Sequence, residues 1–204
     1  TFNTTAAYAN DFKVLTTSGT APEFYAVSAN IPYIKGNFSI TATTVWNATT
    51  VSFGTNNNAE SNTIQTNGVA LKRVILADGG TKNLADPLTT TDYIQMAAGV
   101  FKTLGHRLVA GSFTGSGTAT TVEFGTSEVD LAILNAPNTT VTSANSINIR
   151  NNPGSSPAIS VANNCTFNKV TVQLGGSVIT SNSTFNELNL LGNSAIGGNN
   201  SISR

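Results

Sequence analysis

Apolar residues along this chain come in short alternating runs, with turn residues between them at close intervals. Residues 69–76 follow the dipeptide Asn67-Gly68 and are closed by Asp78-Gly79-Gly80. Runs at 100–104, 107–113, 120–124, 128–134, 146–149 and 158–161 repeat the style. Period-two alternation bounded by Gly, Asn, Asp and Ser predicts short β-strands. Helical periodicity is almost absent. The best helical window, 86–99, has Pro87 near its start but carries Thr89-Thr90-Thr91 in its middle and ends at Gly99. β-Branched residues favour extended backbone, so a strand over 93–96 with a turn at Ala98-Gly99 is the better reading.

Strands this short and evenly spaced suit a sandwich, a barrel or a solenoid, and internal repeats decide between them. Near the C-terminal end, Cys165-Thr-Phe-Asn-Lys-Val-Thr-Val aligns with Ser183-Thr-Phe-Asn-Glu-Leu-Asn-Leu. Phe167 matches Phe185, Val170 matches Leu188 and Val172 matches Leu190, each eighteen apart. After one deletion Ile179 matches Ile196, seventeen apart. A fainter echo sets Thr49-Thr-Val-Ser-Phe-Gly-Thr against Thr120-Thr-Val-Glu-Phe-Gly-Thr. A period near eighteen suits one coil of a parallel β-solenoid, with two or three strands and tight corners. The expected fold is therefore all-β: a parallel β-solenoid in which Phe167, Phe185, Val170, Leu188, Val172, Leu190, Ile179 and Ile196 form interior ladders. Asn168 over Asn186 is expected to form an amide ladder or to hold a corner. At about 4.8 Å per coil, the residues from 51 to 204 would make some eight coils, a rod on the order of 40 Å long.

The first fifty residues differ in composition. Phe2, Tyr8, Phe12, Phe24, Tyr25, Tyr33, Phe38 and Trp46 all fall there. An uncovered first coil presents an aggregation-prone edge, so 1–50 reads as an aromatic-rich cap or attachment segment and 51–204 as the solenoid. The chain opens with Thr1 rather than Met, which is read most simply as a removed leader or a longer parent polypeptide. Gly197 to Arg204 looks like the start of a further coil, so a continuing chain or a partner is expected at that end.

Charge sharpens the picture by its scarcity. Ten basic residues balance ten acidic ones among 204, and no run of either sign occurs. A nucleic-acid footprint needs a basic stripe and a membrane-surface helix needs a basic amphipathic face, so neither partner is expected. The longest apolar runs are far too short to span a bilayer as a helix. Thr, Asn, Ser and Gly replace the missing charge and suit strands and turns. Cys165 is the single cysteine, which excludes an internal disulfide framework. This composition suggests an outer surface.

The stretches Asn62-Thr-Ile-Gln-Thr-Asn-Gly-Val-Ala-Leu, Leu84-Ala-Asp-Pro-Leu-Thr-Thr and Ala98-Gly-Val-Phe-Lys-Thr-Leu-Gly-His-Arg-Leu-Val-Ala-Gly-Ser-Phe, with the terminal Thr-Phe-Asn repeats, resemble a repetitive β-solenoid family. That family occurs in virion structural proteins of tailed phages and in bacterial surface adhesins. The resemblance covers roughly residues 60 to 204. It implies a fibre, spike or adhesin on a virion or cell surface, and it supplies no catalytic residues.

The candidate chemistry is thin. A tailspike that cleaves polysaccharide needs two carboxylates at a suitable spacing. Glu128 and Asp130 are the best local pair, on one face of one strand, and are more simply two solvated charges. His106 is the only histidine, follows Gly105 in a corner, and leaves no multi-histidine metal site. Gly111-Ser-Phe-Thr-Gly-Ser-Gly lacks the following Lys and helix of a phosphate loop. Asp78 and Asp86 read as turn residues, and Cys165, aligned with Ser183, as a small residue within a coil. Calcium at Asp78 or Asp92 would need a recurring acidic repeat that is missing. An ice-binding face would need Thr pairs at every coil, which Thr89-Thr-Thr and Thr140-Val-Thr do not supply.

The expectation is a non-enzymatic, virion-associated structural or adhesive protein without cofactors. It would act through contacts with copies of itself, with other virion proteins or with cell-surface glycans. The alternatives are a secreted bacterial adhesin or extracellular filament subunit, and a depolymerase using Glu128 and Asp130.

Overall fold

A computed structural model describes residues 6–14, 22–24, 31–54, 61–77, 79–117, 120–150, 158–174 and 176–203. Every strand pair among them is parallel. No helix occurs among the described residues. From Leu88 onward, coils lay strands on three faces, each bonding to its equivalents in neighbouring coils, while Glu23–Phe24 and Val45–Trp46 pair as a separate two-stranded parallel sheet. The protein is a parallel β-solenoid.

Face one carries Ala6–Ala9, Ile31–Ile34, Val51–Phe53, Val74–Leu76, Tyr93–Met96, the later parts of Leu108–Gly115 and Val129–Ala136, then Ile159–Val161, Gly176–Ile179 and Ser194–Gly197. Face two runs from Phe12–Lys13 through Phe38–Ser39, Ser61–Gln65, Thr81–Leu84, Val100–Lys102 and Thr120–Gly125. It continues in the opening parts of Thr139–Ile149, Thr166–Val172 and Thr184–Leu190 and ends at Ser201–Ile202. Face three holds Leu88–Thr89 and the remaining halves of the long strands. These long strands turn a corner in mid-course, at small or amide residues such as Gly111, Ala132, Asn168 and Asn186, where the pairing skips one position.

The alternation in the sequence becomes a set of interior columns because a parallel ladder without slippage places like positions over like. On face one, Val51, Val74, Ile94, Phe113, Leu134, Ile159, Val178 and Ile196 stack in eight successive coils. All but Ile196 are fully buried. On face three the column is Leu88, Leu108, Val129, Ile147, Val170 and Leu188. Burying each such side chain contributes about 1.5–3 kcal/mol, although a coil has no closed core of its own.

Three of the four expected ladder pairs stand where the repeat places them. Phe167 lies on Phe185, Val170 on Leu188 and Val172 on Leu190, and the two phenyl rings are stacked 4.8 Å apart. The fourth is corrected. Val178, not Ile179, lies on Ile196, while Ile179 faces outward opposite Gly197. The eighteen-residue register continues without a gap to that strand, and the deleted residue falls at the next corner, between Ile179↔Gly197 and Thr184↔Ser201. A corner can lose a residue without turning a strand inside out; a strand cannot.

The period itself is less regular than eighteen. Successive residues of the face-one column are 18 to 25 positions apart. The Thr49–Thr55 echo is also corrected: Val51–Phe53 lies on face one and Thr120–Gly125 on face two, so the two segments are not equivalent. Of the run 69–76, only Val74–Leu76 is a strand, with Leu71 bridged to Thr90.

The ladder does not begin at residue 51. Ala6–Ala9 pairs with Ile31–Ile34, Phe12 with Phe38, and Phe24 with Trp46, all in parallel. The aromatic residues there fill the same interior: Phe24 stacks on Trp46 at 4.3 Å, Phe12 on Phe38 at 5.5 Å, and Phe38 meets Phe53 edge-on at 5.4 Å. The shift in composition marks a change of filling within one stack of coils. Phe2 and Tyr25 lie outside the described residues.

Candidate functional surface

Outward positions on the same strands form columns too, and these columns carry the polar chemistry. Arg73 meets Asp92 at 2.6 Å, Lys102 meets Glu123 at 3.0 Å and Lys169 meets Glu187 at 2.9 Å. Each pair joins neighbouring coils. Exposed pairs of this kind contribute about 0–1 kcal/mol each, so their value lies in register: a slipped coil would lose them. The Asp92 carboxylate raises the Arg73 pKa through a hydrogen bond and its charge, and the guanidinium also lies over the Tyr93 ring at 5.2 Å.

Glu128 and Asp130 point outward, as their alternation with buried Val129 and Leu131 requires. Arg107 lies 3.9 Å from each carboxylate. Asp130 also accepts a 2.5 Å hydrogen bond from Arg150 Nε, whose Nη2 donates to the Ala110 carbonyl at 3.0 Å. The pair thus sits in a charge cluster that ties together three coils. Such engagement holds carboxylates in place by opposite charge.

Amides and hydroxyls form further ladders. Asn186 Nδ2 donates to Asn168 Oδ1 at 3.1 Å, so these residues both form an amide ladder and occupy a corner. A shallow groove beside them is lined by Asn168, Lys169, Asn186, Glu187 and Ser203. A second groove lies over the early coils, lined in part by Asp11, Lys13, Asn37, Ser39, Thr63 and Gln65. In it Asn37 Oδ1 accepts from both the backbone and the hydroxyl of Thr63, and Ser39 Oγ donates to Gln65 Oε1. Each groove presents donors and acceptors at the coil spacing.

The remaining candidates have structural placements. Asp86 accepts from the backbone N–H groups of Thr66 and Asn67 one coil below, which is the turn role expected of it. His106 follows Leu104 and Gly105, both in the left-handed region, and its N–H donates to the Thr103 carbonyl. Residues 111–115 of the glycine-rich segment lie in a strand. Asp78 lies outside the described residues.

Cys165 is buried in its coil. Desolvation pushes its thiol pKa up, against the opposing effects of the Val141 N–H and the Ser183 hydroxyl. Since the thiolate is the reactive form, Cys165 is expected to resist a chromogenic thiol reagent in the native protein and to react fully once denaturant is added. Rapid stoichiometric labelling of the native protein would contradict this burial.

Two features escaped the sequence reading. The coil-to-coil charge pairs become visible only when the register is known. Buried hydroxyls also close the corners: Thr120 Oγ1 lies 2.6 Å from Thr139 Oγ1, and Ser127 Oγ donates to Thr103 Oγ1 at 2.7 Å.

The geometry defines a class, the parallel β-solenoid repeat proteins, with a low-charge exterior. Comparison with family models, curated proteins and solved structures gives no match to this chain.

Proposed function

We propose that this chain is a structural or adhesive protein that works by assembly and surface contact, as a virion-associated tail fibre, spike or decoration protein. The observation that carries this reading is the Asn168–Asn186 ladder beside the Lys169–Glu187 pair, a repeated polar array on a rigid outer face. Amides arranged in this way suit hydrogen bonding to the hydroxyls of a cell-surface glycan. Backbone groups paired between coils resist local opening without disulfides or dense charge. Copies of the chain, or other virion proteins, are the expected assembly partners, and the exterior of a virion or cell is the expected location.

The reading is non-enzymatic. Arg107 and Arg150 give Glu128 and Asp130 a role in joining coils, which supports it. The test is binding of the purified chain to a panel of bacterial cells and surface polysaccharides. At least one is expected to bind, and Asn168→Ala with Asn186→Ala is expected to weaken that binding about tenfold, the loss of one or two hydrogen bonds. Release of reducing ends by the wild type, abolished in Glu128→Gln, would replace this reading with a depolymerase. Absence of binding to every surface would remove the adhesive role.

A further inference from the structure

One interior column carries a buried amide and a buried amine. On face two, Asn62, Lys82, Phe101, Val122 and Val141 occupy successive coils. Lys82 is 2% exposed and Asn62 3%. Lysine is among the residues least often buried, because removing an ammonium from water is costly. The alternation in Thr81–Leu84 nevertheless sends Lys82 inward with Leu84. Parallel pairing sets Lys82 directly opposite Asn62, and Lys82 Nζ donates to Asn62 Oδ1 at 2.8 Å. With a C=O bond of about 1.23 Å, the amine nitrogen lies no farther than about 4 Å from Asn62 Cγ. That limit is within about 1 Å of the roughly 3–3.5 Å of a near-attack arrangement, and both residues are buried from water.

We propose that Lys82 and Asn62 react with one another to form an intramolecular isopeptide bond joining their two coils. The Nζ lone pair attacks Asn62 Cγ to give a tetrahedral intermediate. The bond from Cγ to Nδ2 then breaks, and that nitrogen leaves as ammonia with the proton released by the amine. Written from the ammonium form, the departing species is ammonium. Nothing is oxidised or reduced, and no co-reactant enters. The product is an amide that places a covalent link across the inter-coil ladder.

Intact-mass measurement of the purified, denatured chain tests this directly. The expected mass is lighter than the sequence mass by one ammonia. Proteolysis is expected to yield a branched peptide joining the segments that contain Asn62 and Lys82, with no tryptic cleavage after Lys82. Asn62→Ala and Lys82→Arg should each have the full mass of their own sequences. Should those variants fold poorly, the wild-type spectrum still decides. A wild-type mass equal to that of the sequence overturns the proposal. So does loss of ammonia without the branched peptide, as when an asparagine cyclises onto its own backbone.

Discussion

Phe167→Ala is expected to cost about 3–5 kcal/mol of unfolding free energy, a large part of the stability of an ordinary domain. Phe167 is fully buried, and its ring stacks on Phe185 at 4.8 Å. Truncation removes the transfer energy of the ring and leaves a hole that its neighbours fill only in part, because strands tied into ladders above and below cannot collapse inward. Two inter-coil contacts weaken together, since Phe167 pairs with Ser143 on one side and with Phe185 on the other. Urea unfolding checks the magnitude. Thr166→Ala, one position away and outward, is the control and is expected to change stability by about 0.5 kcal/mol or less. A double-mutant cycle with Phe185→Ala should show coupling between the two rings, as residues in contact do.

Gly111→Val is expected to be comparably damaging for the opposite reason. A Cβ at Gly111 would lie 2.1 Å from the backbone carbonyl oxygen of Asp92 in the coil below. That oxygen accepts the Ser112 N–H at 2.9 Å, so relief of the clash breaks an inter-coil hydrogen bond. Overpacking of this kind costs about 1–3 kcal/mol, with the lost bond adding to it. Ala132 occupies the equivalent corner position one coil above, between the pairs Ala110↔Leu131 and Ser112↔Ile133, and carries a Cβ. The restriction therefore belongs to the approach of Asp92 and not to the corner in general. Thermal unfolding of Gly111→Val beside Ala132→Val separates the two positions, with the larger loss expected at Gly111.

The strands and their parallel stacking were legible in the sequence because apolar alternation and the Thr-Phe-Asn repeat describe the same interior from two sides. The outward placement of Glu128 and Asp130 followed from their parity with Val129 and Leu131. The period near eighteen lengthens to as much as 25 in other coils, because corners absorb insertions at little entropic cost while columns remain in register. Local alignment placed the deletion at the corner before Gly176–Ile179 and so paired Ile179 with Ile196, where the structure loses the residue at the corner after that strand. Compositional contrast in the first fifty residues marks a change of filling, since large aromatic fillers and smaller aliphatic ones pack in one interior. Lys82 was overlooked because its type argues for exposure, although its spacing of two from Leu84 carried the contrary signal. The charge clusters along the outer faces involve residues about one coil apart, a separation with no meaning until the register is known.

The central claim, that equivalent positions lie directly above one another, is tested most directly by distances along one outward column. Thr142, Thr166, Thr184 and Ser201 are exposed and paired in succession. Spin labels placed in pairs on these positions, with Cys165 replaced by Ser, report separations by dipolar broadening. From Thr142, the distances to Thr166, Thr184 and Ser201 are expected to rise in equal steps of about 4.8 Å. Separations that do not rise in that order, or a Thr166–Thr184 pair too distant to broaden, would contradict the stack.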